Sequence, residues 1–134
     1  MASCCLLSQI VSRLPELPIG RERALRAMVA VRDRHLEHVA LLLRRKGRGL
    51  VVTDVTSSDT LPALLAPNAD PVALLARAAR EQNVFYGTHP DALAAATQRP
   101  RLSALLRDAT PLDPWIWRMG ARAFLVTGLE LTRA

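Results

Sequence analysis

The six residues from position 50 to position 55 constrain the fold of this chain more than any other stretch. Their sequence is Leu-Val-Val-Thr-Asp-Val, which is rich in β-branched side chains and lacks the polar–apolar alternation of a strand with one solvated face. A strand of this kind is buried, and buried strands lie in sheets that helices cover. The stretch therefore predicts an α/β domain with this strand near its centre.

A long basic helix is predicted to precede that strand. It begins after Gly20, and its apolar residues recur at intervals of three and four positions up to Leu43. A second interpretation stays open for residues 36–43, which could form a strand of a hairpin closed by the glycine-containing segment 46–49. If the helix continues, Gly47 and Gly49 suit the left-handed conformation that ends many helices.

Helical and extended patterns alternate in the rest of the chain. Asp70 followed by Pro71 is a strong helix start, and that helix is expected to run to about Gln82. Further helices are expected over residues 91–97 and 102–108, and strands over residues 84–87 and 122–127. Strands separated by helices favour parallel crossovers, so the predicted fold is a small three-layer α/β domain with a short, mostly parallel sheet.

The length of 134 residues predicts a single domain. Residues 1–18 are interpreted as a short helix over about residues 3–13, followed by a connector stiffened by Pro15 and Pro18. This N-terminal segment has the weakest predicted packing against the core, and it could be poorly ordered.

Positive charge is concentrated in the first forty per cent of the chain. Residues 1–53 hold ten basic and four acidic side chains, and this local excess of +6 equals the net charge of the whole protein. A one-sided positive field attracts polyanions, so the leading hypothesis is a non-enzymatic protein that binds nucleic acid or an acidic protein partner. The predicted contacts are sequence-independent and use Arg23, Arg26, Arg34, Arg44, Arg45, Lys46 and Arg48.

A second hypothesis places catalysis at the carboxyl ends of the predicted parallel strands, where open α/β sheets bind ligands. Asp54 lies near the end of the first predicted strand, Asp59 follows that strand, and His89 follows the second. Two carboxylates with a histidine nearby could serve a metal-dependent phosphoester hydrolase or nuclease. The same residue types are also what caps and turns require, whatever the function.

A third hypothesis is a non-catalytic subunit of a protein assembly, or self-association. Trp115 and Trp117 are the one aromatic concentration, and exposed tryptophans anchor many interfaces. Tryptophans in such a pair also commonly cover the end of a core.

The remaining features exclude several classes of protein. Cys4 and Cys5 are adjacent, so they cannot staple the fold, and a reducing, cytoplasmic location is expected. No apolar run is long enough to span a membrane, and no glycine-rich phosphate loop or metal-ligand motif is present, so neither a membrane partner nor a cofactor is predicted.

Overall fold

The computed structural model describes residues 1–16 and 18–134. Within this part of the chain there are five α-helices and four β-strands. In chain order they are β1 (Ala2–Cys4), α1 (Leu6–Arg13), α2 (Arg21–Leu42), β2 (Arg48–Ser57), α3 (Pro71–Arg80), α4 (Pro90–Thr97), α5 (Pro100–Ser103), β3 (Leu106–Met119) and β4 (Arg122–Arg133). No helix among these residues is long and apolar enough to cross a membrane.

The protein is a mixed α/β structure, as predicted, but the prediction of a mostly parallel sheet is wrong. The strands lie in the order β1-β2-β4-β3, and only β1 and β2 run parallel. The pairs β2–β4 and β3–β4 are antiparallel, and β3 and β4 form a hairpin that turns at Gly120. A hairpin needs only a short turn, whereas the predicted parallel pairing requires a crossover connection.

The strand predicted over residues 84–87 is not formed. Phe85 N donates one hydrogen bond to Val55 O at 2.7 Å, and the chain then turns away from the sheet. Thr88 N donates to Phe85 O, and Gly87 between them has a φ of +80°, so the segment closes on itself as a turn.

Strand β3 occupies residues that were expected to be helical or irregular. After the single turn of α5, the chain pairs with β4 from Leu106 to Met119. Pro111 and Pro114 argued against a strand in the sequence, because proline has no N–H to donate to a neighbouring strand. They are tolerated because β3 is an edge strand, and a register shift between Leu112 and Trp115 skips Pro114.

Helix α2 continues to Leu42, which confirms the helical interpretation of residues 36–42 and rules out the hairpin. The expectation that Gly47 or Gly49 supplies a left-handed residue that ends the helix is wrong. The helix is capped by Leu43 in an extended conformation, and the left-handed residue of the following turn is Lys46, with a φ of 59°. Gly49 lies within β2, where an added Cβ would come to 3.0 Å from the Leu43 side chain, so close packing accounts for this glycine.

Two apolar clusters form the core on one face of the sheet. In the first, Val51, Leu129 and Leu131 pack with side chains of α2 such as Leu36 and Val39. The second joins strand residues to α3 and to the 3₁₀ turn Pro62–Leu65, and its members are Val55, Leu61, Leu64, Leu74, Ala78, Ala123 and Leu125.

Successive side chains of a strand point to opposite faces of the sheet, so the alternate strand residues lie on the face away from the two clusters. These residues, which belong to neither cluster, are Leu50, Val52, Asp54, Leu112, Trp115, Trp117, Phe124 and Val126. The clusters thus account for one face of the sheet, and a third layer on the other face stays a prediction.

Candidate functional site

The turn between α2 and β2 presents three consecutive cations to solvent. Arg44, Arg45 and Lys46 are all exposed, and none of them forms an ion pair with any residue from 1–16 or 18–134. Gly47 N donates to Arg44 O at 2.8 Å, which closes the turn. The three cations are therefore exposed next to one another on a single tight turn.

Strand pairing brings further arginines to the same end of the sheet. Arg133 N donates to Gly47 O at 2.9 Å, and Arg107 lies at the start of β3, next to β4. Because neighbouring strands are about 4.8 Å apart and β4 lies between β2 and β3, the backbone of Arg107 is roughly 10 Å from the start of β2. We call this surface the basic end, and its members are Arg44, Arg45, Lys46, Arg48, Arg107 and Arg133.

Some charge at the basic end is already compensated. Arg48 forms an ion pair with Glu130, and the Nη1 of Arg133 donates to Ala40 O at 2.6 Å. Asp108 lies on the neighbouring strand, where its carboxylate accepts from Ala109 N and the Thr110 hydroxyl. Within the part of the chain that the structure describes, the cations of this surface without such a partner are therefore those of the turn, together with Arg107.

The sequence could not indicate Arg107 or Arg133 as members of this surface. Both lie in residues 54–134, whose basic and acidic side chains balance, far from residues 44–48 in the sequence. Only the pairing of β2, β4 and β3 brings them to the turn.

The other arginines predicted to bind a polyanion lie elsewhere along α2. Arg26 pairs with Glu22 at 2.9 Å and Arg34 pairs with Glu37 at 2.8 Å, each on the exposed surface of the helix. Arg23 is exposed and unpaired within the described part of the chain, but a rise of 1.5 Å per residue puts it about 30 Å from Arg44. These three side chains are not part of the basic end.

The three predicted catalytic residues have separate partners. Asp59 forms an exposed ion pair with Arg122, and His89 caps α4 by accepting a hydrogen bond from Asp91 N on its Nδ1 at 3.2 Å. Asp54 contacts Cys5 and Ser8 instead. Over residues 1–16 and 18–134, no group of three or more His, Cys, Asp or Glu side chains could hold a metal ion.

A cleft of about 680 Å³ opens beside Asp54. It lies just beyond the end of β1, on the face of the sheet opposite the two core clusters, to which Asp54, Trp117 and Phe124 belong. One wall comes from Cys5 and the start of α1, and aromatic side chains of the sheet and of the turn after α3 form another. The residues that line the cleft include Cys5, Ser8, Asp54, Phe85, Trp117 and Phe124.

The Asp54 carboxylate accepts hydrogen bonds from two neutral groups. Cys5 Sγ donates to its Oδ1 at 3.2 Å, and Ser8 Oγ lies 3.0 Å from its Oδ2. Burial raises the pKa of the Cys5 thiol to about 12, and the hydrogen bond and negative charge of Asp54 act in the same direction. Cys5 is therefore a protonated donor that orients Asp54, and it lacks the thiolate that a cysteine nucleophile needs.

The two tryptophans lie on the same side of β3. Trp115 is opposite Val126 and partly buried, whereas Trp117 is opposite Phe124 and 42% exposed. Trp117 also lines the cleft, so of the two predicted partner anchors it is the one that a ligand or partner can reach.

No protein-family model matches this chain, and neither a curated protein nor a solved structure is significantly similar to it. What the protein binds must therefore be inferred from its own contacts and charges. The basic end and the cleft beside Asp54 are the two surfaces that offer such evidence.

Proposed function

We propose that this protein binds nucleic acid, without sequence preference, through its basic end. The observation that carries the proposal is the set of three consecutive exposed cations, Arg44, Arg45 and Lys46, that lack ion-pair partners in the described part of the chain. Arg107 extends the same surface. Unpaired cations on a tight turn fit the closely spaced phosphates of a nucleic-acid backbone.

Arginine suits this role because its planar guanidinium donates two parallel hydrogen bonds to a phosphate. Each phosphate that is neutralised releases condensed counterions, so binding of this kind weakens steeply as salt rises. Aromatic side chains on which bases could stack are scarce, with five Phe, Trp and Tyr residues in 134. The proposed contacts are accordingly to the backbone and do not read the bases.

The arginines of α2 have a smaller part in the proposal. Glu22 and Glu37 already neutralise Arg26 and Arg34, and Arg23 is reached only by a ligand that extends about 30 Å along the helix. A long duplex could touch both regions, whereas a short one could touch only the basic end. A cytoplasmic location belongs to this proposal, and Cys4 and Cys5, which are both free thiols, agree with it.

Fluorescence anisotropy of labelled DNA and RNA, titrated from about 50 to about 200 mM salt, tests the proposal. We expect binding to the unchanged protein with a steep negative salt dependence. In the double variant R44A/R45A, affinity should fall by about tenfold or more, and the slope of log K against log salt should become shallower by about 2.

The matched control is R77A/R80A, which removes the same charge from the last turn of α3, beside the other core cluster. A nonspecific effect of net charge would weaken binding equally in the two double variants, and this result would contradict the proposal. Absence of binding at about 50 mM salt would also contradict it and would favour an acidic protein partner for the same surface.

A further inference from the structure

Among the described residues Asp54 has no cationic partner, although two arginines line the same cleft. Arg13 pairs with Glu16 and Arg122 pairs with Asp59, so each of these cations is neutralised by its own acid. Asp54 forms no ion pair with any residue in the described ranges 1–16 and 18–134. It is therefore the one uncompensated charge among the described groups that face this cleft.

The two donors to Asp54 leave its carboxylate with acceptor capacity. Ser8 Oγ is 3.0 Å from the Cys5 carbonyl oxygen and also 3.0 Å from Asp54 Oδ2, but a hydroxyl has a single hydrogen to donate. A thiol is a weak donor. A carboxylate has about four lone-pair sites, so an incoming cation would find unused acceptor positions on Asp54.

Three aromatic side chains form part of the cleft wall. Phe85, Trp117 and Phe124 all line it, and Trp117 is 42% exposed. The faces of such rings attract cations. The protein already uses this attraction, because the Arg122 guanidinium lies over the Phe124 ring, 5.1 Å from its centroid.

We propose that this cleft binds an organic ammonium ion, with the charged nitrogen on Asp54 and the apolar body against Trp117. The volume of about 680 Å³ lies in the range typical of small-molecule sites. An apolar wall with one oriented charge is also the usual make-up of such sites. The site is independent of nucleic-acid binding, since Asp54 is six residues, or roughly 20 Å, along β2 from Arg48.

The probe for the first experiment is phenethylamine, compared with its neutral analogue 2-phenylethanol and with the anion phenylpropionate. Quenching of tryptophan fluorescence reports binding near Trp117. We expect phenethylamine to bind the unchanged protein at least about tenfold more tightly than 2-phenylethanol, and phenylpropionate not to bind. This comparison needs no variant, so it does not depend on how a substitution affects folding.

The variant D54N should lose the preference for the amine, because it keeps the shape of the side chain and removes its charge. The control D113N removes an exposed charge at the register shift of β3 and should leave amine binding unchanged. Equal affinities for the amine and the alcohol would overturn the proposal. Tighter binding of the anion would also overturn it and would make Arg13 and Arg122 the residues that determine ligand charge. Absence of fluorescence quenching by millimolar amine would overturn it as well.

Discussion

Thr127 is a polar residue buried in the core of the fold. Its side chain is fully buried in β4, directly opposite Thr53 of β2. Its Oγ1 has no hydrogen-bond partner among the residues that the structure describes. An unpaired hydroxyl in an apolar environment destabilises the folded state, because it loses its hydrogen bonds to water on folding.

We therefore expect T127V to raise the free energy of unfolding by about 1 kcal/mol, since valine has nearly the same shape and no hydroxyl. Urea denaturation monitored by circular dichroism measures the change. The control is T97V, in which a similarly buried threonine loses the hydrogen bond from its Oγ1 to Ala94 O at 2.7 Å and should be destabilised. A T127V protein less stable than the unchanged one would show that the Thr127 hydroxyl does have a partner.

Among single residues, the sequence predicts best the roles that depend only on neighbours in the chain. Asp70 caps α3 as expected, with its Oδ1 accepting from Val72 N at 2.9 Å, because a cap needs only residues that are adjacent in the chain. Asp54 was expected at the end of its strand, but β2 continues to Ser57, and Asp54 lines the cleft from within the strand. Its actual partners, Cys5 and Ser8, are more than 45 positions away, and no local pattern links them to it.

The smallest element, β1, was not predicted at all. Three residues are too few to form a detectable pattern, and β1 exists because it pairs in parallel with Leu50–Val52 of β2. A side-chain contact also joins β1 to α2, since Ser3 Oγ and His35 Nε2 are 2.8 Å apart. His35 is partly buried, and burial together with the nearby charge of His38 lowers its pKa from the ordinary value of 6.5.

This shift makes the stability of the fold depend on pH. Because the folded state disfavours protonated His35, its contribution to stability is fully present above the unfolded-state pKa and declines as the pH falls below that value. We expect the free energy of unfolding to decrease from about pH 7.5 to about pH 5.5, and to decrease less in H35Q. Urea denaturation at each pH measures this. Identical decreases in H35Q and the unchanged protein would assign the effect to other groups.

The edge strand β3 could not be predicted from its local sequence. Its residues 106–119 include two prolines and an Asp-Pro pair, which locally favour turns. The strand forms because β4, with its long apolar run, offers a complete partner along the hairpin. Tertiary pairing therefore overrides local preference here, and the same pairing brings Arg107 to the basic end.

At the scale of the whole molecule, the two proposed binding surfaces lie at separate places along the sheet. The basic end combines the turn after α2 with the adjoining ends of β3 and β4, and the cleft beside Asp54 lies roughly 20 Å away along β2. The asymmetry of charge in the sequence predicted the first surface in part. It could not predict the second, because the acid and the aromatic rings of the cleft come from distant parts of the chain.

The most direct test of nucleic-acid binding at the basic end is to map the contact by NMR. Uniformly ¹⁵N-labelled protein would be titrated with a short DNA duplex at low salt, and the backbone amide shifts followed. We predict perturbations concentrated at residues 44–48, Arg107 and Arg133, with the Trp117 indole N–H in the distant cleft unaffected. Perturbations at the cleft without any at residues 44–48, or no perturbations at all, would contradict the proposed function.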